Sequence, residues 1–425
     1  MLLPMRDLLV AAFLAIHCLA TNDQTCGGRE GAGATFACTR GFGQPPNFCS
    51  ATSLTVQISQ AGVCVHLPTK PELILLPELK GGSVARLWNV SFTPAIMGEG
   101  YVADKAECSQ ATAFFITVPY AESIGGRVNY YQWHVDVLLP LYVAFEHNKL
   151  LDEASNSALV NAVIYPTVSD LQWPNPPSAA PAIAWTTPAF DDPSSFWMQT
   201  LETMTDGAVR PLAAQAVNLE GPTSTTMRYS RAFLGLPSVE HPSAPVMLNF
   251  VNFLRGRLGL SADPVPCSAP DVIAFVRRTN RRVLLNEADL AAAVQDDLGA
   301  VVQWLEFGRE GFEADVAAVQ HVRVLVGGQG SGLTNGLYLR PHSAVVCLYQ
   351  LGAWDVFEEY LKPRGPYRWW ANSNPAASVC NKTVDRFCDS PDTVVDISAA
   401  LEVIKSALAD ARARCAPGIL EGWKP

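Results

Sequence analysis

The stretch VLVGGQGSGLTNGLYLRP, residues 324–341, decides how the chain folds. It begins as a short apolar run, passes through glycines interrupted by Gln329 and Ser331, and then resumes an apolar pattern. A buried strand that ends in glycines and reopens as a helix exposes backbone N–H groups that can bind an anion. Taken alone, however, the glycines favour a tight strand-to-helix turn without a ligand.

Familiar phosphate and nucleophile loops do not match this turn. No Gly-Lys-Ser/Thr follows the glycines, which excludes a Walker loop. Too few residues separate the glycines from the next turn for the βαβ unit of a dinucleotide fingerprint. Gln329 and Leu333 flank Ser331 where a hydrolase elbow needs glycines, so Ser331 is not predicted to be a nucleophile.

The residues around the glycine turn alternate between strand and helix patterns. Four apolar runs are predicted to be strands: DVIAFVRR (271–278), VVQWLEF (301–307), VRVLVG (322–327) and AVVCLYQ (344–350). AVVCLYQ is predicted to be the last strand of the sheet. NEADLAAAVQDDLG (286–299) and the segment from Gly311 to Gln320 read as helices. This alternation predicts a parallel sheet with crossover helices. PVPCSAP (264–270) is turn-rich and is predicted to link this domain to the preceding one.

The preceding residues divide into two further regions. Residues 21–118 are rich in cysteine, and short apolar runs such as SLTVQISQ predict strands. Residues 129–151 have helical apolar spacing, 158–166 read as a buried strand, and the proline-rich 173–193 as a loop. We therefore predict a Cys-rich region (21–118), an N-terminal α/β domain (119–265) and a C-terminal α/β domain (270–415).

The N-terminus is predicted to direct the chain to the secretory pathway. The apolar run Leu8–Ala20 has signal-peptide length, and cleavage near Ala20 is preferred over a membrane anchor. Of the 11 cysteines, 10 lie after this segment, and an even set in a secretory chain favours disulfides. Sequons at Asn89 and Asn381 predict N-glycosylation. The histidines and cysteines have no zinc-ligand spacing.

Composition narrows the possible functions. With 49% hydrophobic and 16% charged residues the chain is globular, and a net charge of −10 argues against a nucleic-acid binder. A small phosphorylated ligand needs only one or two well-placed arginines. A secreted, disulfide-rich binding protein would explain the cysteines and sequons, but it would not explain the alternating strands and helices.

Two other stretches carry candidate functional residues. In VRRTNRRVLLNEADL (276–290), Arg278, Arg282 and Asn286 are spaced by four and follow a predicted strand. Arginine suits a diphosphate because its planar guanidinium donates two hydrogen bonds and keeps its charge, although most arginine clusters are solvated turns. In NYYQWHVDVLLP (129–140), Asn129, Gln132 and Asp136 fall on one face of a predicted helix. An N-terminal helix cap followed by polar surface residues would produce the same pattern.

Together the three stretches resemble glycosyltransferase family 61. The family pattern Arg-x-x-x-Arg-x-x-x-Asn-Glu is matched by Arg278, Arg282, Asn286 and Glu287. Its Asn-x-x-His, Asp, Pro pattern aligns with Asn129, Gln132, Asp136 and Pro140. Its His-Gly-Ala-x-Leu-Thr-Asn pattern and the following Pro and Val-Val-Glu align with Gln329, Gly330, Ser331, Leu333, Thr334, Asn335, Pro341, Val345 and Val346. The resemblance covers residues 108 to about 410.

The resemblance implies a GT-B fold, in which two Rossmann-like domains face a cleft. It implies an inverting transfer of GlcNAc or a pentose from a UDP-sugar to an O-glycan or polysaccharide in the ER or Golgi lumen, with no essential metal. Asp136 would be the catalytic base, with Asn129 and Gln132 beside it. The expected diphosphate-binding residues are Arg278, Arg282, Asn286, Gln329, Gly330, Ser331, Gly332, Leu333, Thr334 and Asn335.

The chain departs from the family pattern at three positions. Gln132 and Gln329 replace histidines, and a glutamine side chain cannot take up a proton near neutral pH. His134 points away from Gln132 on a helix and is not expected to substitute for it. Cys347 stands where a glutamate could bind a ribose. A divergent transferase and a catalytically inactive binding or partner module both fit, and the intact arginine pattern favours the enzyme.

Overall fold

The computed structural model of the chain covers both predicted α/β domains. It describes residues 36–40, 46–59, 62–66, 74–75, 107–118, 130–148, 150–151, 162–168, 196–205, 225–236, 239, 242–279, 282–353, 355–379 and 391–414. The predicted signal peptide, Asn89, Asn129, Asn381 and the proline-rich loop lie outside these residues. Within them, no helix is both long enough and apolar enough to cross a membrane.

The chain folds as two units. The first contains Met1–Val128 and Val135–Glu240, and the second contains Asn129–His134 and His241–Pro425. The strands of the first unit are β1 (Phe36–Arg40), β2 (Pro46–Ser59), β3 (Gly62–His66), β4 (Ile74–Leu75), β5 (Glu107–Val118), β6 (Ala162–Val168) and β7 (Thr225–Gly235). The predicted linker at residues 264–270 lies within the second unit.

A mixed sheet organises the first unit. Its strand order is β4-β1-β2-β7-β5-β6, with β3 paired to β2. β5 runs parallel to β6 and to β7, whereas β2 and β7 are antiparallel. Strands of the predicted Cys-rich region therefore continue the sheet of the predicted N-terminal α/β domain. Phe114 on β5 stacks on Phe233 of β7 and meets Phe145 edge-on, with ring centroids 4.7 and 4.9 Å away.

A helical segment after β5 belongs partly to each unit. It consists of α1 (Tyr130–Trp133), a π-helical turn (His134–Leu138) and α2 (Leu139–His147). A further helix of the first unit, α3 (Phe196–Thr205), follows β6. The predicted helix over 129–151 and the predicted strand over 158–166 are confirmed, the strand with a shift of its ends.

The second unit is an α/β fold with a parallel sheet. Its elements are α4 (Ala244–Arg257), β8 (Val272–Val276), α5 (Glu287–Leu298), β9 (Val301–Leu305), α6 (Phe312–Ala318), β10 (Val324–Gly328), a 3-10 helix (Ser331–Tyr338), β11 (Ala344–Tyr349), α7 (Glu358–Leu361), β12 (Tyr367–Ala371), a second 3-10 helix (Pro375–Ala377), the paired strands β13 (Ser378–Val379) and β14 (Asp392–Thr393), and α8 (Ile397–Ala413). The strand order is β12-β11-β10-β8-β9, and every pair is parallel.

Burial explains why these residues form a parallel sheet. All residues of β10 and β11 are buried, as expected for strands covered on both faces. On one face, α5 and α8 pack over a core that includes Phe275, Val326 and Ile404. Gly299 ends α5 in the left-handed conformation, with φ 60°, a common glycine role at helix ends.

The strand and helix predictions for residues 271–350 are confirmed, but two elements were missed. AVVCLYQ is not the last strand of the sheet, because β12 adds a parallel edge strand from within the aromatic stretch 354–370. Phe357 and Tyr367 of that stretch are buried, whereas Trp369 is 53% exposed. Helix α8 was also missed. Asp396 caps it by accepting a hydrogen bond from the Ala399 N–H at 3.0 Å.

Candidate functional site

The strand order of the second unit creates a place for a ligand. The chain enters the sheet at β8, adds β9 on one side, and then crosses to add β10 on the other. Connections therefore leave β8 and β10 in opposite directions, and ligands of open α/β sheets bind at such a switch point, beyond the carboxyl ends of the strands. The arginine stretch follows β8, and the glycine turn follows β10. Topology thus brings together two of the three stretches singled out in the sequence.

Arg278 and Gly330 are in direct contact. A Cβ added to Gly330 would lie 1.7 Å from Nη1 of Arg278 and 2.8 Å from its Cζ. Only a residue without a side chain lets the guanidinium lie so close to this backbone. The structure thus brings the Arg278 guanidinium and the glycine turn together, and the arrangement suits an anion that bonds both.

Arg282 adopts a backbone conformation that non-glycine residues rarely take. Its φ is 55°, in the left-handed region, which costs about 1–2 kcal/mol. Its carbonyl oxygen would lie 3.2 Å from a Cβ on Gly328, so the arginine loop packs closely on the end of β10. Strain of this size persists only where the surrounding structure imposes it.

The arginine loop is held by residues from the end of the described chain. Asn286 donates to the Val395 carbonyl and accepts from the Val395 N–H, both at 2.8 Å. The Val283 N–H donates to Asp392 Oδ1 at 2.8 Å, and the Leu285 N–H donates to the Thr393 carbonyl at 2.9 Å. The structure thus places Asn286, predicted to bind the diphosphate, in a clamp between two backbone segments.

The helix after the glycine turn is a 3-10 helix whose signature residues face inward. Leu333, Thr334 and Asn335 are buried, whereas Ser331 and Gly332 are partly exposed. Asn335 Oδ1 accepts a hydrogen bond from the Tyr130 hydroxyl at 2.9 Å, and its Nδ2 donates to the Gly332 carbonyl at 3.2 Å. The polar side chain of Asn335 therefore shapes the turn from inside the unit.

Gln329, which stands where the family pattern has histidine, is also held by a neighbour. It is 8% exposed, and its Oε1 accepts a hydrogen bond from Nε2 of Gln350 at 2.8 Å. Its backbone N–H donates to the Leu348 carbonyl at 3.2 Å, which ties the start of the turn to β11. The side-chain oxygen of this residue is thus already used within the protein.

The third stretch is helical, but its helix is not uniform. A π turn at His134–Leu138 takes up more residues than an α-helical turn and changes the spacing between Gln132 and Asp136. Gln132 is half-buried, and its Oε1 has no hydrogen-bond partner within the described residues. Asp136 belongs to the first unit, whereas both arginines and the glycine turn belong to the second.

His134 is a buried part of the interior. It is fully buried, its Nδ1 donates to the Tyr130 carbonyl at 2.7 Å, and its Nε2 lies 2.6 Å from the Tyr338 hydroxyl. Burial lowers the pKa of His134 to about 4, and the bond to Tyr130 opposes this shift. His134 is therefore neutral at physiological pH and fastens α1 to the 3-10 helix, in line with the expectation that it does not replace a histidine at position 132.

A polar cluster at the end of β11 was not predicted. Cys347 is a fully buried free thiol, so it belongs to no disulfide, and burial raises its pKa. Nearby, Asp355 Oδ1 accepts hydrogen bonds from the hydroxyls of Tyr349 at 2.6 Å and Tyr367 at 3.1 Å. The spacing Asp355-x-x-Glu358 resembles a capping box, and it is the feature of the sequence that could have pointed to Asp355.

The described part of the chain contains no group of three or more His, Cys, Asp or Glu side chains arranged to hold a metal ion. Six of the predicted site residues converge at the switch point beyond β8 and β10, all of them within the second unit: Arg278, Arg282, Gln329, Gly330, Ser331 and Gly332.

Comparisons with known proteins agree with the sequence motifs. The family model described as Glycosyltransferase 61 matches residues 130–346, just over half of the chain. The EGF domain-specific O-linked N-acetylglucosamine transferase of Drosophila melanogaster is 29% identical over 122 residues, which cover 28% of this chain and 23% of that protein. The chain thus matches under a quarter of that relative. A flavodiiron protein from Giardia intestinalis is similar over 45% of this chain and 46% of its own, with 9% identity and a TM-score of 0.21, too low to support an argument.

Proposed function

The chain belongs to the glycosyltransferase 61 family, and on that premise we propose that it is an inverting, metal-independent transferase that uses a UDP-sugar. The observation that carries this proposal is the contact between Arg278 and Gly330 at the switch point of the second unit. The Arg278 guanidinium in contact with the glycine turn, with Arg282 on the adjoining loop, suits the two phosphates of a nucleotide diphosphate.

The proposed reaction is a direct displacement. The acceptor hydroxyl oxygen attacks the anomeric carbon, the bond from that carbon to the phosphate oxygen breaks, and UDP leaves with the electron pair. Arg278, Arg282 and the N–H groups of the glycine turn neutralise the charge that develops on the diphosphate. Asp136 accepts the proton of the acceptor hydroxyl as general base. Inversion at the anomeric carbon follows from a single displacement.

Fold and location are part of the same proposal. The two units would be the halves of a GT-B enzyme, with the donor on the second unit and the acceptor on the first. The transferred sugar would be GlcNAc or a pentose, and the acceptor an O-glycan or polysaccharide. The signal-peptide pattern and the sequons support an ER or Golgi lumen as the place of action.

A second candidate function is favoured by the two glutamines. Gln132 and Gln329 cannot carry a proton or a positive charge as histidine can, and Gln329 Oε1 is already bonded by Gln350. A chain that retained the arginines but lost turnover would bind a nucleotide sugar and act as a partner or lectin-like module. Nucleotide binding without transfer distinguishes this function from the first.

The test is nucleotide binding by the secreted protein, measured by calorimetry and thermal shift. UDP, UDP-GlcNAc and UDP-xylose are compared with GDP and NAD. UDP at 100 times its Kd should stabilise the protein by about 2.7 kcal/mol. Arg282→Ala should abolish this response, whereas Arg309→Ala, which removes an exposed arginine paired with Glu306, should retain it. A wild-type protein that responds to none of the uridine nucleotides would refute both candidate functions.

A further inference from the structure

Asp355 is an exposed carboxylate whose two oxygens have different roles. Besides the two tyrosine hydroxyls, Oδ1 accepts hydrogen bonds from the backbone N–H groups of Phe357 at 2.9 Å and Glu358 at 3.0 Å. Oδ2 has no hydrogen bond to any part of the chain that the structure describes. A carboxylate has about four acceptor positions over its two oxygens. The bonds to the backbone at the start of α7 and to the two tyrosines thus use one oxygen and leave the other for a ligand.

The tyrosines fix the direction of this carboxylate. Tyr349 and Tyr367 are 2% and 6% exposed, and their hydroxyls lie 2.8 Å apart, so both are held in the interior. Burial raises the pKa of each phenol, which keeps both hydroxyls protonated as donors. A surface carboxylate anchored by two buried donors loses little further side-chain freedom when it binds a ligand.

The carboxylate also lies at the same edge of the sheet as the proposed diphosphate site. Asp355 follows β11, whose neighbour β10 ends in the glycine turn. Asp355 and Arg282 both act electrostatically on the Cys347 thiol, in opposite directions. The arginine and the carboxylate therefore both lie within electrostatic range of the same buried thiol, which is on β11 near the carboxyl edge of the sheet.

We propose that Asp355 Oδ2 binds the vicinal hydroxyls of the donor's ribose. This inference rests on the proposed function, since it assigns the neighbouring part of the same nucleotide. Carboxylates recognise sugar hydroxyls because they accept from both members of a diol with charge-assisted hydrogen bonds. The family pattern has a glutamate where this chain has Cys347, and a buried neutral thiol cannot accept in this way. Asp355 supplies a carboxylate from the following loop.

The experiment compares two ligands with one variant. Kd values for UDP and for 2′,3′-dideoxy-UDP are measured by calorimetry on wild type and Asp355→Asn. Asparagine retains an acceptor for the tyrosines and the α7 backbone, so the fold is preserved. The ratio of the two Kd values isolates the hydroxyl contact, because a change in charge near the diphosphate affects both ligands equally. Glu358→Gln, which neutralises a carboxylate of α7 paired with Lys362, is the matched control.

Wild type and Glu358→Gln should bind UDP roughly 10-fold or more tighter than the dideoxy analogue, as expected for hydrogen bonds to a charged group. Asp355→Asn should bind the two ligands within about 3-fold of each other. If wild type binds UDP but does not discriminate, or if Asp355→Asn still discriminates, the ribose assignment is wrong and the transferase proposal stands. If wild type binds neither ligand, both proposals are wrong.

Discussion

The guanidinium of Arg278 occupies the space that a side chain at position 330 would need. A Cβ there would lie 1.7 Å from Nη1, far inside any van der Waals contact. The glycine is thus required by the arginine rather than by its own backbone angles, since its φ of 173° is open to any residue. The arginine motif and the glycine turn, two separate signals in the sequence, therefore depend on each other in the structure. Substitution of Gly330 tests this dependence directly.

Gly330→Ala should displace the Arg278 side chain and weaken UDP binding by at least about 10-fold, because a charge-assisted bond to phosphate is lost. Calorimetry measures the affinity, and thermal melting checks the fold. Gly259→Ala is the control, because it introduces an alanine at φ 63° with no atom within 4 Å of its Cβ. That variant should lose some stability and no affinity. Unchanged UDP affinity in Gly330→Ala would show that Arg278 does not act through this contact.

Asn286→Ala should destabilise the protein as well as weaken UDP binding. The change removes two hydrogen bonds with the Val395 backbone and should cost about 2–3 kcal/mol, measured by urea unfolding. UDP affinity should fall because the loop that carries Arg282 loses its support. A loss of affinity with wild-type stability would instead assign Asn286 a direct contact with the nucleotide.

His134 should make stability fall with acidification. The folded-state pKa of about 4 lies below the ordinary 6.5, so the unfolded chain binds the proton more readily. Its contribution is complete above pH 6.5 and is lost as the pH falls towards 4, by roughly 3 kcal/mol. Urea unfolding of wild type and His134→Gln at several pH values measures it. The wild-type advantage should shrink over this window, and a constant difference would contradict a buried neutral imidazole.

The comparison with His134→Gln is needed because Asp315 titrates in the opposite sense. Burial raises the pKa of Asp315 to about 6, and the Gly308 N–H that donates to it opposes this shift. The folded state therefore binds the proton more tightly than the unfolded state, and stability declines as the pH rises from about 4 to about 6. The wild-type curve alone contains both trends, whereas the difference between wild type and the histidine variant removes that of Asp315.

Arg255→Met should be among the most destabilising changes in the second unit. The buried guanidinium donates to the carbonyls of Tyr338, Leu339 and Ser261, joining α4 to the end of the 3-10 helix. Loss of these bonds should cost about 3 kcal/mol by urea unfolding, less any relief of repulsion from Arg340. Arg309→Met, at an exposed arginine, should change stability by under about 1 kcal/mol. Equal effects would argue against a role for Arg255 in holding the end of the 3-10 helix.

Transfer activity should survive removal of divalent cations. The proposed mechanism assigns charge neutralisation to Arg278, Arg282 and the glycine turn, so EDTA should leave the rate within about 2-fold. A sugar-transfer assay with and without EDTA, followed by addition of Mn²⁺, measures this. Loss of turnover in EDTA that Mn²⁺ restores would overturn the metal-independent mechanism.

The second unit was largely predictable because its elements carry strong local signals. The strands around Val276, Val326 and Val346 are continuous apolar runs, and glycines mark the ends of α5 and β10. β12 was missed because YRWWA is an edge strand with exposed residues and no alternation. Helix α8 has apolar residues at helical spacing after Asp396, so the sequence contained the signal that would have predicted it.

The roles of individual site residues were less predictable, because they depend on distant contacts. Asn286 and Asn335 look like ligand-binding residues in a motif, yet their partners lie 109 and 205 positions away, in Val395 and Tyr130. The π turn that contains Asp136 has no signature in residue spacing alone. The motifs predict roughly where these side chains lie, whereas packing decides which of them face a ligand.

The clamp between Asn286 and Val395 has a consequence for biosynthesis. Chains are made from the N-terminus at about 5–20 residues per second, so Arg278 and Arg282 leave the ribosome well before Val395 exists. Until residues 392–395 emerge, the arginine loop lacks the bonds that hold Arg282 in its strained conformation. The nascent chain therefore acquires its proposed nucleotide site only after residues 392–395 have been made, and UDP cannot act as a folding template for a shorter chain.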